Sequence, residues 1–183
     1  MKKAVSYFEE SGSMKIDFTA DMYWSATEEW RSSKGKIWFS GESKYRVFMP
    51  ELEIVSNGTK LWKYSKENKQ VVEEVLDGNS WNTHPSRILF EFLKCEALSH
   101  KLIKEKRQEF IEIVLIPAKG LKHYSSLIVL LNPQTGEPKK IHTVDEAENE
   151  SVYTISKIKR HVKFKKKQFE FVPPKGVEVI DAQ

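Results

Sequence analysis

Five histidines and one cysteine are the side chains best suited to act as a metal ligand, a base or a nucleophile: His84, His100, His123, His142, His161 and Cys95. The histidines are scattered, with none of the short spacings of a zinc site. A single thiol excludes an intramolecular disulfide and any site built on several thiolates. His123 and His142 could meet across strands, but the plainer reading of each is a surface or half-buried side chain. Cys95 could pair with a histidine as a nucleophile. Its plainer reading is a small hydrophobe on the apolar face of a helix. Glu73 and Glu74 are adjacent in an alternating segment, so they point to opposite faces and cannot act together on one substrate. The nucleophile elbow, the phosphate loop, the dinucleotide fingerprint and the zincin helix are all missing from the chain. The expectation is a protein that is not an enzyme, with no metal and no cofactor.

Two other groups of residues could bind something. Residues 157–167 hold seven Lys or Arg, with Val162 and Phe164 interleaved. Such a segment suits a nucleic acid, an acidic partner or an anionic membrane. A solvated edge kept from aggregating by lysines is the preferred reading, because the whole chain carries a formal charge of only +4. No nucleic-acid partner is expected. The second group is an excess of large apolar side chains: Trp38, Phe39, Phe48, Met49, Trp62, Tyr64, Phe169 and Phe171. They fill a sandwich core or line the cavity of a barrel, and composition leaves both open.

The elements that must position these residues are mostly strands. In 183 residues, the size of one ordinary domain, the dominant pattern is alternation with period two. Residues 15–24 put Ile16, Phe18, Ala20, Met22 and Trp24 on one side. Further strands are expected at 36–39, 45–49, 70–76, 110–116, 125–131, 139–144, 152–158 and from 162 onward. Asn57-Gly58 between two apolar pairs marks a hairpin with a type I′ turn. Its N-x-T spelling also matches a glycosylation sequon, a weaker reading. The period changes after Pro85, where Ile88, Leu89, Phe92 and Leu93 have helical spacing over 86–95. A short helix is expected at the N-terminus from Val5 and Phe8. The charged start Met1-Lys2-Lys3 is not followed by the apolar region of a secretory leader. No run approaches the ~18 apolar residues of a spanning helix. One antiparallel β-rich domain covering 1–183, with one or two helices, is the simplest account.

Several pieces in order resemble the LolA family of periplasmic lipoprotein carriers. They are 14–19 with 33–39, then 44–46 with 54–64, the Pro85 segment with Ile88-Leu89, the turn Asn132-Pro133-Gln134-Thr135-Gly136, and the ending Phe169-Glu170-Phe171-Val172-Pro173-Pro174-Lys175-Gly176-Val177. The similarity runs from about residue 14 to the C-terminus. It implies a mainly β fold: a curved, incompletely closed antiparallel β-barrel with short helices as an α lid. It implies a periplasmic carrier, its secretory leader removed, that binds acyl chains of lipoproteins in an apolar cavity. The implied partners are acylated lipoproteins, an inner-membrane ABC-type release complex and an outer-membrane lipoprotein acceptor, with the carrier itself a monomer. Cavity and lid residues expected on this basis are Phe18, Trp38, Phe48, Trp62, Tyr64, Ile88, Leu89, Phe92 and Phe171. Family carriers often place an Arg that holds the lid on the turn after the strand of Trp38-Phe39, and Gly41 stands there. That departure motivates an alternative: the same fold as a lipid-binding or envelope-sensor module with a different lipid cargo.

Overall fold

A computed structural model describes residues 1–41, 43–76, 92–105, 107–118 and 121–182. Ile88, Leu89 and most of the expected 86–95 helix lie outside them. Among the described residues, one α-helix, α1 (Lys2–Glu9), precedes twelve strands. These are β1 (Ser13–Trp24), β2 (Glu29–Ser40), β3 (Lys44–Phe48), β4 (Leu52–Asn57), β5 (Lys60–Ser65), β6 (Gln70–Val75), β7 (Glu96–Glu105), β8 (Gln108–Ile116), β9 (Tyr124–Leu131), β10 (Pro138–Asp145), β11 (Glu150–Arg160) and β12 (Glu178–Ala182).

The strands form one sheet in the order β12-β6-β5-β4-β3-β2-β1-β11-β10-β9-β8-β7. Most neighbours are consecutive, as short connections require. The order begins at β12 and stops at β7, so the sheet is open-ended. The mainly β, unclosed architecture agrees with expectation in that coarse form. One correction is that the sheet is not wholly antiparallel, because β12 runs parallel to β6.

Packing divides the chain into two compact units. The first holds residues 1–11, 18–33 and 85–156; the second holds 12–17, 34–84 and 157–183. In the first, the core is built from Phe8, Phe18, Phe92, Leu127, Val129, Ile141 and Ile155. In the second, Ile37, Phe39, Val47, Ile54, Val55, Leu61, Trp62 and Val71 are buried.

Three local expectations change. The Asn57-Gly58 hairpin exists, but only Gly58 takes a positive φ, +95°. The Asn57 side chain explains why. Its Oδ1 accepts from the backbone N–H of Thr59 at 2.9 Å and of Lys60 at 2.8 Å, an Asx turn in place of type I′. Phe92–Lys94, the described end of the 86–95 segment, is a single 3₁₀ turn. No strand starts at Val162: His161 takes φ +54°, which turns the chain out of the ladder, and a 3₁₀ turn follows at Lys166–Phe169.

Candidate functional site

In the first unit the site is the seat of α1. Ala4, Tyr7 and Phe8 lie on one face of the helix, at i, i+3 and i+4, and all three are buried. The turn at 132–137 receives this face. Asn132 Oδ1 accepts from the N–H groups of Gln134 and Thr135 at 2.9 and 3.0 Å, which closes the turn. Lys3 Nζ donates to the Pro133 carbonyl at 2.8 Å, and the Tyr7 hydroxyl donates to Glu137 Oε2 at 2.9 Å. Gly136 has φ +77°, and a Cβ there would lie 2.4 Å from the Lys3 carbonyl carbon. Only glycine lets the backbone of α1 come this close. The Asn-Pro-Gln-Thr-Gly-Glu run is therefore the dock of the N-terminal helix, a role its sequence gave no sign of. Phe8 meets Phe92 edge-on at 6.2 Å, which joins α1 and the 3₁₀ turn into one apolar plug. Phe18 packs on Tyr153 at 6.1 Å in the same unit.

In the second unit the ladder sorts the expected residues by face. Paired residues on neighbouring antiparallel strands point the same way. Trp38 pairs with Arg46, Arg46 with Val55, Val55 with Trp62, and Trp62 with Glu73. The next row of that face is Lys36, Phe48, Glu53, Tyr64 and Val71. The opposite face carries Ile37, Val47, Ile54, Lys63 and Val72, then Phe39, Tyr45, Ser56, Leu61 and Glu74. Thus Trp38, Phe48, Trp62 and Tyr64 share one face.

The chain's own C-terminal segment occupies that face. The Ser13 hydroxyl donates to the Val162 carbonyl at 2.8 Å. Arg46 Nη1 donates to the Gln168 carbonyl at 3.2 Å while its Nε and Nη2 hold Glu53 at 2.6 and 2.5 Å. Phe171 lies 6.3 Å from the Trp62 ring and 5.9 Å from the Tyr64 ring. Val177 joins this cluster with Val55 and Val71. β12 then pairs with β6. Trp62, 8% exposed, also donates through Nε1 to Glu73 Oε2 at 2.7 Å. Hydrogen bonds from Lys60 and then Trp62 hold the Glu73 carboxyl below its usual range, against a small opposing effect of burial.

The remaining expected residues of this face are partly covered by cations. Lys15 Nζ lies 5.6 Å from the centre of Trp38, and Lys66 Nζ lies 4.1 Å above Phe48, which is 39% exposed. The structure therefore brings Trp62, Tyr64 and Phe171 together, and it sets Phe18 and Phe92 in the other unit's core. The opposite apolar face, whose Ile37, Val47, Ile54 and Leu61 were passed over by sequence reasoning, also carries Phe39, which it had counted among the large apolar side chains. Its signal was present: Ile37 and Phe39 flank Trp38 in one alternating strand.

Gly41 has φ +63° and donates its N–H to the Gly12 carbonyl at 2.9 Å. An arginine there would be strained by its backbone. Arg46 holds Glu53 and the Gln168 carbonyl. His142 Nε2 contacts Glu150 at 3.1 Å, Cys95 is buried, and no group of three or more potential metal ligands occurs among the described residues. Glu73 and Glu74 do point to opposite faces, opposite Trp62 and Leu61.

The model of the family described as outer membrane lipoprotein carrier protein LolA matches residues 9–172. An outer-membrane lipoprotein carrier protein of Alkalilimnicola ehrlichii is 26% identical over 180 residues, spanning 96% of this chain and 81% of that one. A protein of the same name from Ralstonia nicotianae is 29% identical over 153 residues, spanning 81% and 69%. The crystal structure of an uncharacterized conserved protein from Thermus thermophilus superposes with a TM-score of 0.63 at 10% identity, over 99% of this chain and 98% of that one. That last likeness is one of fold alone.

Proposed function

The chain belongs to the LolA family of outer membrane lipoprotein carriers, and on that premise we propose that it shields the acyl chains of lipoproteins in the periplasm. The family and the two named relatives support a carrier in place of an enzyme. The physical need is plain. An acyl chain of about fifteen methylenes costs on the order of 12 kcal/mol in water, at about 0.8 per CH₂. Two or three such chains cross an aqueous space only under cover. A carrier that held them in a permanently sealed core would not release them, so an apolar cover with nearly balanced open and closed states is required.

One observation carries the choice of cargo surface. Both faces of β2–β5 are apolar and buried, and on one of them the cover is the chain's own Phe171 and C-terminal segment. We assign the acyl chains in this unit to the other face, along Ile37, Phe39, Val47, Ile54 and Leu61. In the first unit, Phe18 and Phe92 remain candidate cargo residues, with α1 as the cover that withdraws from the turn at 132–137. Ile88 and Leu89 keep the lid role that the family resemblance implies. Transfer from an inner-membrane release complex to an outer-membrane acceptor completes the reading.

The test is displacement of an apolar fluorescent probe by a triacylated lipopeptide, with the unacylated peptide as control. Saturable displacement by the acylated form alone supports the carrier. Gly41 in place of the latch motivates a second reading, a module for free lipids. Displacement by free fatty acid or phospholipid but not by lipopeptide would select it.

A further inference from the structure

We propose that the segment at 157–167 docks the protein on an anionic lipid surface. The sequence has no Asp or Glu from Ser151 through Phe169. β11 ends at Arg160, and His161 then turns the chain so that Val162 bonds back to Ser13. Beyond this point the segment is two-sided. Val162 and Phe164 are partly covered and Phe169 is buried, with Phe164 edge-on to Phe169 at 5.4 Å. Lys163, Lys165 and Lys167 alternate with them and are exposed, as are Lys157 and Lys159 at the end of β11.

None of these five lysines forms an ion pair among the described residues, whereas Arg46, Lys60, Lys63 and Lys101 each hold a carboxylate. Like charges crowded without counter-charge favour an external anion. The chemistry distinguishes which one. A protein interface needs a desolvated aromatic or Arg anchor, and lysine is depleted there. A single-stranded nucleic acid needs free aromatic faces for stacking. Here Phe164 and Phe169 are spent on each other and on the fold. Exposed ammonium groups on flexible stems, close together in the chain, suit a diffuse sheet of lipid phosphates. Docking needs no acylated cargo, so its failure leaves the carrier reading untouched.

The experiment is co-sedimentation with vesicles of phosphatidylcholine containing phosphatidylglycerol, against phosphatidylcholine alone. Binding to the anionic vesicles only, lost at high salt, is expected. The triple variant Lys163→Glu/Lys165→Glu/Lys167→Glu should lower partitioning by about tenfold or more. Its thermal unfolding and probe displacement by lipopeptide should match the parent. A control of equal charge, Lys34→Glu/Lys36→Glu/Lys122→Glu, should keep most of the binding. No binding to anionic vesicles, equal losses in both variants, or binding only to an acidic peptide or an oligonucleotide would overturn the proposal.

Discussion

The two faces of the sheet around β4 and β5 are made of similar residues and are closed in different ways. On one, Val55, Trp62 and Tyr64 are sealed by Phe171 and Val177 of the same chain, and the seal is fastened by Arg46, which donates to the Gln168 carbonyl, and by the pairing of β12 with β6. On the other, Ile37, Val47, Ile54 and Leu61 form rows whose polar members are Tyr45, Lys63, paired to Glu74, and the buried Ser56, which donates to the Ser43 carbonyl at 2.8 Å. One face is a joint within the chain, held by polar contacts and strand pairing. The other is a largely apolar face whose Ile37, Phe39, Val47, Ile54 and Leu61 are buried as well. For the proposed uptake and release of acyl chains, rows of aliphatic side chains are the better counterpart, since apolar contacts accept a sliding, featureless ligand.

Leu61 and Trp62 are neighbours in β5 on opposite faces, and together they give the sharpest test of this difference. Trp62→Ala should lower stability by about 3 kcal/mol in urea denaturation, through the cavity it leaves and the loss of its bond to Glu73. The folded variant should still bind lipopeptide with parental affinity. Leu61→Ala should cost about 2–3 kcal/mol and also weaken lipopeptide binding several-fold. If Trp62→Ala were the variant that lost affinity, the assignment of faces would be reversed. A smaller effect is expected from Phe171→Ala, about 1 kcal/mol because its ring is only partly covered. Its direct sign should be a red shift of Trp62 emission as the ring meets water, with cargo binding unchanged. Unshifted emission would mean that the C-terminal segment does not seal that face.

The smallest effect concerns pH. Glu73 has its folded carboxyl below the usual range because Lys60 and Trp62 donate to it. A depressed carboxyl stabilises the fold fully above the ordinary carboxylate pKa, and that contribution shrinks as pH falls through the lowered one. The stability difference between the parent and Glu73→Gln should therefore be constant near neutrality and close on acidification. A difference that does not change with pH would show that the Lys60–Glu73–Trp62 cluster adds nothing to the joint.

Much of the architecture was legible because alternation reports a strand with one buried face. β1 shows both the strength and the limit of that signal. Ile16, Phe18 and Ala20 are buried as the pattern requires, while Trp24 at the hairpin end is 48% exposed. Pattern could not find β7. Nine of its ten residues are exposed, and it is a strand only because β8 offers a ladder. β12 was hidden for the same reason, since its five exposed residues are held by backbone pairing to β6. The site was less legible than the fold. Ile54-Val55 and Leu61-Trp62 are apolar on both sides, so period two separates the faces without saying which one the chain covers itself. That depends on Phe171, over a hundred residues away in sequence. The Asn132–Gly136 turn was recognised as a family piece, yet its purpose lay in the close approach of α1, which no local pattern encodes.

The most direct measurement uses the unmodified protein and a triacylated lipopeptide with a diazirine in its acyl chains. After irradiation, mass spectrometry of the digested complex locates the adducts residue by residue. In the strands β2–β5 the account predicts adducts at Ile37, Phe39, Val47, Ile54 and Leu61, skipping the residues between them. Adducts concentrated on Trp38, Val55, Trp62 and Tyr64 would contradict it, because they would place the cargo where Phe171 now lies.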